Sequence, residues 1–236
     1  MAEKKKNLVV LTGAGVSQES GIKTFRDANG LWENHRLEDV ASPEAFARNP
    51  KLVHEFYNLR RAQLKSTKPN AAHLSLAKLE AEWPGNFLLV SQNVDDLHER
   101  AGSKKLFSMH GQLTQIRCSS CEAAPSPHHE DLSVASVCPL CQRAGGMRPH
   151  IVWFGEVPLF LDEIYRALSQ ADIFVAIGTS GNVYPAAGFV SLISSRARTI
   201  ELNAAGTEIS RAFAEHRRGP ASITVPALVK ELLEPT

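Results

Sequence analysis

In the stretch Leu8-Val9-Val10-Leu11-Thr12-Gly13-Ala14-Gly15-Val16-Ser17, an apolar run ends in a Gly-x-Gly turn. This pattern predicts a buried strand followed by a helix N-terminus whose backbone N–H groups face an anion. Gly13 permits the turn, and Gly15 lets a diphosphate approach where a Cβ would collide. The dinucleotide fingerprint is incomplete, since Gln18 stands at its third glycine and no acidic residue closes a second strand. A purely structural strand-to-helix turn is the alternative interpretation.

Further apolar strands alternate with helical segments, which predicts an α/β fold with a Rossmann-like, doubly wound parallel sheet. The candidate strands are Leu8–Leu11, Phe87–Val90, Leu106–Met109, Ile173–Ile177, Thr199–Leu202 and Ile223–Val225. Five of them end in polar or glycine residues: Thr12-Gly13, Ser91-Gln92-Asn93, His110-Gly111, Gly178-Thr179-Ser180 and Asn203. Ligands bind at the carboxyl edge of such sheets, so we expect these ends to line one crevice.

Two insertions interrupt the alternation and predict a second, smaller domain. Residues 33–71 are predicted helices, with Ser42 and Asn49 as caps before Pro43 and Pro50. Residues 114–149 carry all four cysteines and little apolar periodicity. The predicted Rossmann-like domain is therefore discontinuous, over 1–32, 72–113 and 150–236.

The cysteines form two C-x-x-C pairs, Cys118 with Cys121 and Cys138 with Cys141, separated by sixteen residues. This spacing predicts a zinc site. Four thiolates complete a tetrahedron and leave no open position, so we expect one structural zinc ion in a small lobe with little core of its own. Disulfides or free thiols are the alternatives.

Charge and hydropathy restrict the class of protein. The formal charge is +1 and 43% of the residues are apolar, which gives no support to nucleic-acid or membrane binding. The basic start is followed by too short an apolar run for a signal peptide. We therefore expect a cytoplasmic, monomeric protein with reduced cysteines.

Three polar residues at the strand ends are candidates for chemistry. Asn93 and Asp95 alternate with Val94 and can face one side, where they would recognise a carboxamide-bearing ring. A capped helix start explains them equally well. His110 faces the predicted crevice and has a suitable intrinsic pKa for a general base, although an isolated histidine is more often structural.

Taken together, these motifs resemble the sirtuins, NAD-dependent protein-lysine deacylases, over nearly the whole chain. The matching pieces are Gly13-Ala14-Gly15-Val16-Ser17, Gly21-Ile22, Phe25-Arg26, Gln92-Asn93-Val94-Asp95, His110-Gly111, the four cysteines, Gly178-Thr179-Ser180 and Asn203. Lys23 and Ser91 depart from the common pattern of proline and threonine, and neither removes an assigned group.

The resemblance implies NAD as co-substrate, nicotinamide and O-acyl-ADP-ribose as products, and His110 as the general base. It implies contacts to NAD from Gly13, Ala14, Gly15, Ser17, Phe25, Arg26, Gln92, Asn93, Asp95, Gly178, Thr179, Ser180, Asn203 and Ala221. It also implies that the extended segment Val152-Trp153-Phe154-Gly155-Glu156 pairs with an acylated-lysine peptide by strand addition. A core strand is the alternative for that segment.

The acyl preference follows from one predicted helix. The pair Tyr57-x-x-Arg60 resembles the motif by which class III sirtuins bind acidic acyl groups, and Ala41 matches the small residue that widens their pocket. Succinyl- and malonyl-lysine are the implied substrates, with acetyl-lysine also admitted. A snorkelling Arg60 is the alternative. Two other functions remain open: a mono-ADP-ribosyltransferase with the same cofactor, and a non-enzymatic zinc-ribbon adaptor.

Overall fold

The predicted parallel sheet forms the larger layer of the protein, in a computed structural model that describes residues 5–22 and 35–234. Phe25 and Arg26 lie outside these ranges. The strands of this sheet are β1 Leu8–Thr12, β2 Phe87–Ser91, β3 Leu106–Ser108, β7 Ile173–Ile177, β8 Arg198–Asn203 and β9 Glu215–Arg218. All neighbours pair in parallel, in the order β3-β2-β1-β7-β8-β9.

Both faces of β1 are buried, which explains its unbroken apolar run. Leu8 and Val10 pack on one side with α4 (Ala71–Glu82) and α7 (Ala221–Leu233). Val9 and Leu11 pack on the other side with α6 (Leu161–Ser169) and the 3-10 segment Ala186–Leu192. The doubly wound α/β prediction is therefore confirmed.

One predicted strand is wrong. Ile223–Val225 lies inside α7, where Val225 is buried and Ile223 is exposed. The sixth strand is β9, a charged edge strand of sequence Glu-His-Arg-Arg. The side chains of β9 form ion pairs; Glu215, for example, accepts from the Arg198 guanidinium at 2.6 Å. The strand therefore shows no apolar pattern in the sequence.

In the described part of the chain, the smaller layer combines three helices and a second sheet. The helices are α1 Leu37–Val40, α2 Pro43–Arg48 and α3 Pro50–Leu64. The predicted caps are confirmed, because Ser42 Oγ accepts from the Ala45 N–H at 3.0 Å and Asn49 Oδ1 accepts from the Leu52 N–H at 3.2 Å.

The second sheet is antiparallel, in the order β5-β4-β6. Its strands are β4 Gly111–Cys118, β5 Ser126–Pro127 and β6 Met147–Ile151. The small sheet thus reaches past the predicted interval 114–149 at both ends. A further helix, α5 Leu97–Ala101, follows β2. None of the described helices has the length and apolar character that a bilayer span requires.

Candidate active site

A cleft of about 800 Å³ runs along the carboxyl edge of the large sheet and reaches the helices of the small layer. Every described residue predicted for a catalytic, cofactor or substrate role lines it. They are Gly13, Ala14, Gly15, Ser17, Ala41, Tyr57, Arg60, Gln92, Asn93, Asp95, His110, Val152, Trp153, Phe154, Gly155, Glu156, Gly178, Thr179, Ser180, Asn203 and Ala221.

The glycine turn does not have the predicted geometry. The N–H groups of Gly13 and Gly15 donate to the carbonyls of Ile177 and Gly178, both at 2.9 Å, and so do not face an anion. Gly15 was expected to make room for a diphosphate, but it makes room for the backbone of a second loop. A Cβ on Gly15 would lie 2.7 Å from the Gly178 Cα. Two 3-10 turns, Ala14–Val16 and Gln18–Ser20, follow in place of the expected helix.

Asn93 and Asp95 come together with Ser17 in a buried polar group. The Ser17 hydroxyl donates to Asp95 Oδ2 at 2.9 Å and accepts from Asn93 Nδ2 at 3.1 Å. Asp95 Oδ1 accepts from the Leu97 N–H at 3.1 Å, so the helix-capping alternative is also correct for this residue. Burial raises the pKa of Asp95 to about 6. The group offers an amide and a carboxyl side by side at the cleft wall.

Beneath this group lie two buried histidines, His73 on α4 and His98 on α5. His73 Nε2 is 3.4 Å from Ser17 Oγ, and His98 Nε2 is 3.0 Å from Thr12 Oγ1. Burial lowers the pKa of His73 to about 4 and that of His98 to about 3. Both imidazoles are therefore neutral at physiological pH.

His110 lies in the turn between β3 and β4 and lines the cleft. Its Nδ1 is 2.8 Å from the Gln92 carbonyl oxygen. A carbonyl can only accept, so Nδ1 carries the proton and Nε2 keeps its lone pair. Burial lowers the pKa of His110, although the bond to Gln92 opposes this. The next residue must be glycine, because Gly111 has φ +79° and a Cβ there would lie 2.0 Å from the His150 carbonyl oxygen.

Thr179 and Asn203 lie at the end of the cleft next to β7 and β8. Asn203 Nδ2 donates a hydrogen bond to the Thr179 carbonyl oxygen at 2.9 Å. Gln92 Nε2 donates to Thr179 Oγ1 at 3.2 Å and so ties this end to the centre. Ala221 begins α7 beside it, where the Glu19 carboxylate accepts from the Ser222 N–H at 2.8 Å.

Sequence reasoning missed Glu201, a fully buried carboxylate on β8 beneath this end. It accepts hydrogen bonds from Thr207, Ser210, Arg218 and Asn203. Burial raises the pKa of Glu201, but these bonds outweigh it and lower the pKa to about 2. The available signal was an acidic residue between Ile200 and Leu202 in a predicted strand.

At the opposite end, α3 brings Tyr57 and Arg60 to the cleft beside Ala41. The Arg60 guanidinium lies 4.5 Å over the centre of the Phe56 ring, a cation–π contact. The Tyr57 hydroxyl oxygen accepts from the Trp153 indole N–H at 2.9 Å. Burial raises the pKa of Tyr57, so its hydroxyl stays protonated.

The segment Val152–Glu156 is not the predicted extended strand. The Glu156 N–H donates to the Trp153 carbonyl at 2.9 Å, which closes a turn, and Gly155 has φ +89°. The N–H groups of Val152 and Phe154 already donate to His110 and Ala41, at 2.8 and 3.0 Å. The turn leaves Phe154 half exposed at the cleft rim.

The four cysteines converge outside the cleft, at the end of the small sheet. Their sulfur atoms all lie within 4.8 Å of one another. The Cys118–Cys141 and Cys121–Cys138 distances are 3.8 and 3.7 Å. A tetrahedron with Zn–S bonds of about 2.3 Å has edges of about 3.8 Å, so these residues fit a structural zinc ion.

Comparisons with known proteins agree with this architecture. Residues 13–185 match the model of the Sir2 family. An NAD-dependent protein deacylase of Bdellovibrio bacteriovorus is 60% identical over 234 residues, which cover 97% of each chain. The fold and cleft define a sirtuin-type α/β protein, and the chain belongs to the Sir2 family.

Two solved structures extend the comparison. A Sir2 homologue in complex with NAD has a TM-score of 0.87 and 38% identity, covering 95% of this chain and 88% of its own. A Sir2 histidine-to-alanine variant with a deacetylated p53 peptide and 3′-O-acetyl-ADP-ribose has a TM-score of 0.81 and 30% identity, covering 97% of this chain and 94% of its own.

Proposed function

We propose that this protein is an NAD-dependent protein-lysine deacylase that removes succinyl, malonyl and acetyl groups. One observation carries the proposal. His110, with Nδ1 held by the Gln92 carbonyl, lies in the same cleft as the Asn93–Asp95 pair and the acyl-side residues Tyr57 and Arg60. Family membership and the relatives named as deacylases support it.

Asn93, Asp95 and Ser17 are the residues that would hold the carboxamide of NAD. Their donors and acceptors alternate within hydrogen-bond distance, and an amide ligand needs one of each. NAD supplies the leaving group, nicotinamide, and the ribose carbon that takes up the acyl oxygen. Gly13, Ala14 and Gly15 line the cleft and would lie along the diphosphate, with the Gly13 and Gly15 N–H groups bonded within the protein.

The adenosine half would contact Gly178, Thr179, Ser180, Asn203 and Ala221, and Gln92 would contact the nicotinamide ribose. Phe25 and Arg26 remain predicted contacts from the sequence. Hydrogen bonds within the protein already fix Thr179 and Asn203, so their orientation costs little on binding.

His110 is the general base in this proposal. Its Nε2 is the unprotonated nitrogen and would accept a proton from a ribose hydroxyl, while the Gln92 carbonyl stabilises the ring as it becomes charged. The lowered pKa keeps the imidazole neutral before the transfer. Loss of a general base costs about 10²- to 10⁴-fold in rate, and we expect His110→Tyr to abolish turnover.

Acyl selectivity is assigned to Tyr57 and Arg60. A guanidinium and a phenol at one end of the cleft would bind the distal carboxylate of a succinyl or malonyl group, and Ala41 leaves space for it. The acylated peptide would lie against the rim turn at Phe154 and Gly155, which is exposed.

Release of nicotinamide from acetyl, succinyl and malonyl versions of one peptide tests the proposal. We expect Arg60→Met to lower kcat/KM for the succinyl peptide by about 10- to 100-fold, and that for the acetyl peptide by about threefold or less. Arg48→Met is the matched control, since Arg48 is exposed on α2 and pairs with Asp39. Equal loss of both activities would show that Arg60 is structural.

The competing activity, mono-ADP-ribosylation, uses the same cofactor residues but a protein side chain as acceptor. Mass spectrometry separates the two, because deacylation gives O-acyl-ADP-ribose and the competing reaction gives ADP-ribosylated protein. Tyr57 and Arg60 favour deacylation, because an acidic-acyl pocket has no use in the competing reaction.

A further inference from the structure

A buried arginine connects the small sheet to the acyl end of the cleft. Arg148 lies on β6, and its side chain is only 5% exposed. Its guanidinium donates to both oxygens of Glu156, at 2.7 and 3.0 Å, and to the Ile151 carbonyl at 2.8 Å. Such a two-oxygen pair fixes the plane of the guanidinium.

The fixed guanidinium holds Trp153 from one face. The central carbon of Arg148 lies 3.2 Å over the indole ring. Glu156 Oε2 also accepts from the Trp153 backbone N–H at 2.8 Å. Because ring and backbone are held by the same ion pair, the indole of Trp153, which is 2% exposed, has one orientation.

That orientation sets the Tyr57 hydroxyl. An indole N–H can only donate, so the Tyr57 oxygen accepts at 2.9 Å and the phenol must direct its own proton elsewhere. A phenol that donates is the form that binds a carboxylate.

We propose that Arg148 is a positioning residue for acyl selectivity, acting through Trp153 to present the Tyr57 hydroxyl to acyl groups that end in a carboxylate. The inference rests on the proposed function. It assigns no direct contact between Arg148 and the acyl group. The alternative is that Arg148 only joins β6 to the following turn.

The kinetic test compares Arg148→Met with Arg117→Met. Arg117 is the matched control, since it lies on β4 and also donates to Glu156, at 2.8 Å, but is 26% exposed. We expect Arg148→Met to lower the succinyl-to-acetyl ratio of kcat/KM by about fivefold to tenfold, mainly through KM for the succinyl peptide. Arg117→Met should change the ratio by about twofold or less.

A double-mutant cycle shows whether the effect passes through Tyr57. In a Tyr57→Phe background, Arg148→Met should leave the ratio unchanged, because no hydroxyl remains to be oriented. Arg148→Lys keeps the charge but not the two-oxygen pair, and should give an intermediate ratio. Arg148→Lys replaces Arg148→Met in the cycle if the methionine variant does not fold. The zinc content of each variant shows whether its small layer is intact.

An independent readout is the indole N–H signal of Trp153 in a ¹H–¹⁵N NMR spectrum, assigned by its loss in Trp153→Phe. It should move in Arg148→Met and in Tyr57→Phe, and stay in place in Arg117→Met. If the protein has no succinyl preference, the signal still moves and only the proposed substrate class fails. The inference would be overturned if Arg60→Met lowers the succinyl-to-acetyl ratio while Arg148→Met leaves both that ratio and the Trp153 signal unchanged.

Discussion

Replacing Asp95 by asparagine should stabilise the protein while impairing its reaction. Burial raises the pKa of Asp95 from 3.8 to about 6, which corresponds to about 3 kcal/mol in favour of the protonated carboxyl in the folded state. The folded state holds this proton more tightly than the unfolded chain does. Stability is therefore lost as pH rises from about 4 to about 6, and the whole penalty is present above about pH 6.

Asparagine removes the charge and keeps the shape. Its carbonyl oxygen can accept from the Leu97 N–H, as Asp95 Oδ1 does at 3.1 Å. Its amide would face the Ser17 hydroxyl, now 2.9 Å from Oδ2, and a hydroxyl can accept as well as donate. We therefore expect most of the 3 kcal/mol to be recovered, on the order of 2 kcal/mol above pH 7.

Urea unfolding of both proteins at a series of pH values measures the effect. The difference in unfolding free energy should be near zero below about pH 4 and rise to a plateau above about pH 6, with unchanged m-values. Asp96→Asn is the control, because Asp96 is 22% exposed and pairs with Arg100 at 3.4 Å. A difference that is flat with pH, or a less stable Asp95→Asn variant at pH 7, would show that the buried Asp95 charge carries no such penalty. Nicotinamide release should fall in the same variant.

Three further predictions follow from the same structure. His110 must be neutral to accept a proton, and burial lowers its pKa below 6.5. As the pH is lowered, log(kcat/KM) should therefore begin to fall, with unit slope, only below pH 6.5. A loss of activity on acidification that begins above pH 6.5 would contradict the assignment of His110 as the base. Glu201→Gln leaves the donors of Thr207 and of the partly exposed Arg218 without an anionic acceptor. The unfolding free energy should therefore drop by about 2 kcal/mol, and KM for NAD should rise more than KM for peptide. Chelation of zinc, or Cys118→Ser, should release one metal per chain and expose the remaining thiols to a thiol reagent, whereas unchanged thiol reactivity would count against the metal site.

The central strands were predictable because a strand that is buried on both faces has an unbroken apolar sequence. Leu8–Leu11 is apolar throughout since each face of β1 meets its own hydrophobic core. The edge strand β9 has no apolar run, because its residues are charged and pair with Arg198 and Glu231. In α7, the β-branched residues Ile223, Thr224 and Val225 favoured a strand, but burial of one helical face against α4 overrode that preference.

The site was predictable where function sits at strand ends and not where it depends on distant partners. Asn93, Asp95 and His110 follow β2 and β3 directly, so topology alone places them in the cleft. The bond between Tyr57 and Trp153 joins residues 96 positions apart, which no local pattern encodes. The cytoplasmic location and the monomeric state stay predictions.

His110 is the last residue before the chain crosses into the small sheet, and Gly111 makes that crossing with a backbone that no other residue adopts without strain. His110 is consequently held by both layers, its imidazole by the Gln92 carbonyl and its backbone by the start of β4. A ligand that separates the two layers would displace the proposed base without touching it, and should slow nicotinamide release while the nucleotide end of the cleft stays intact.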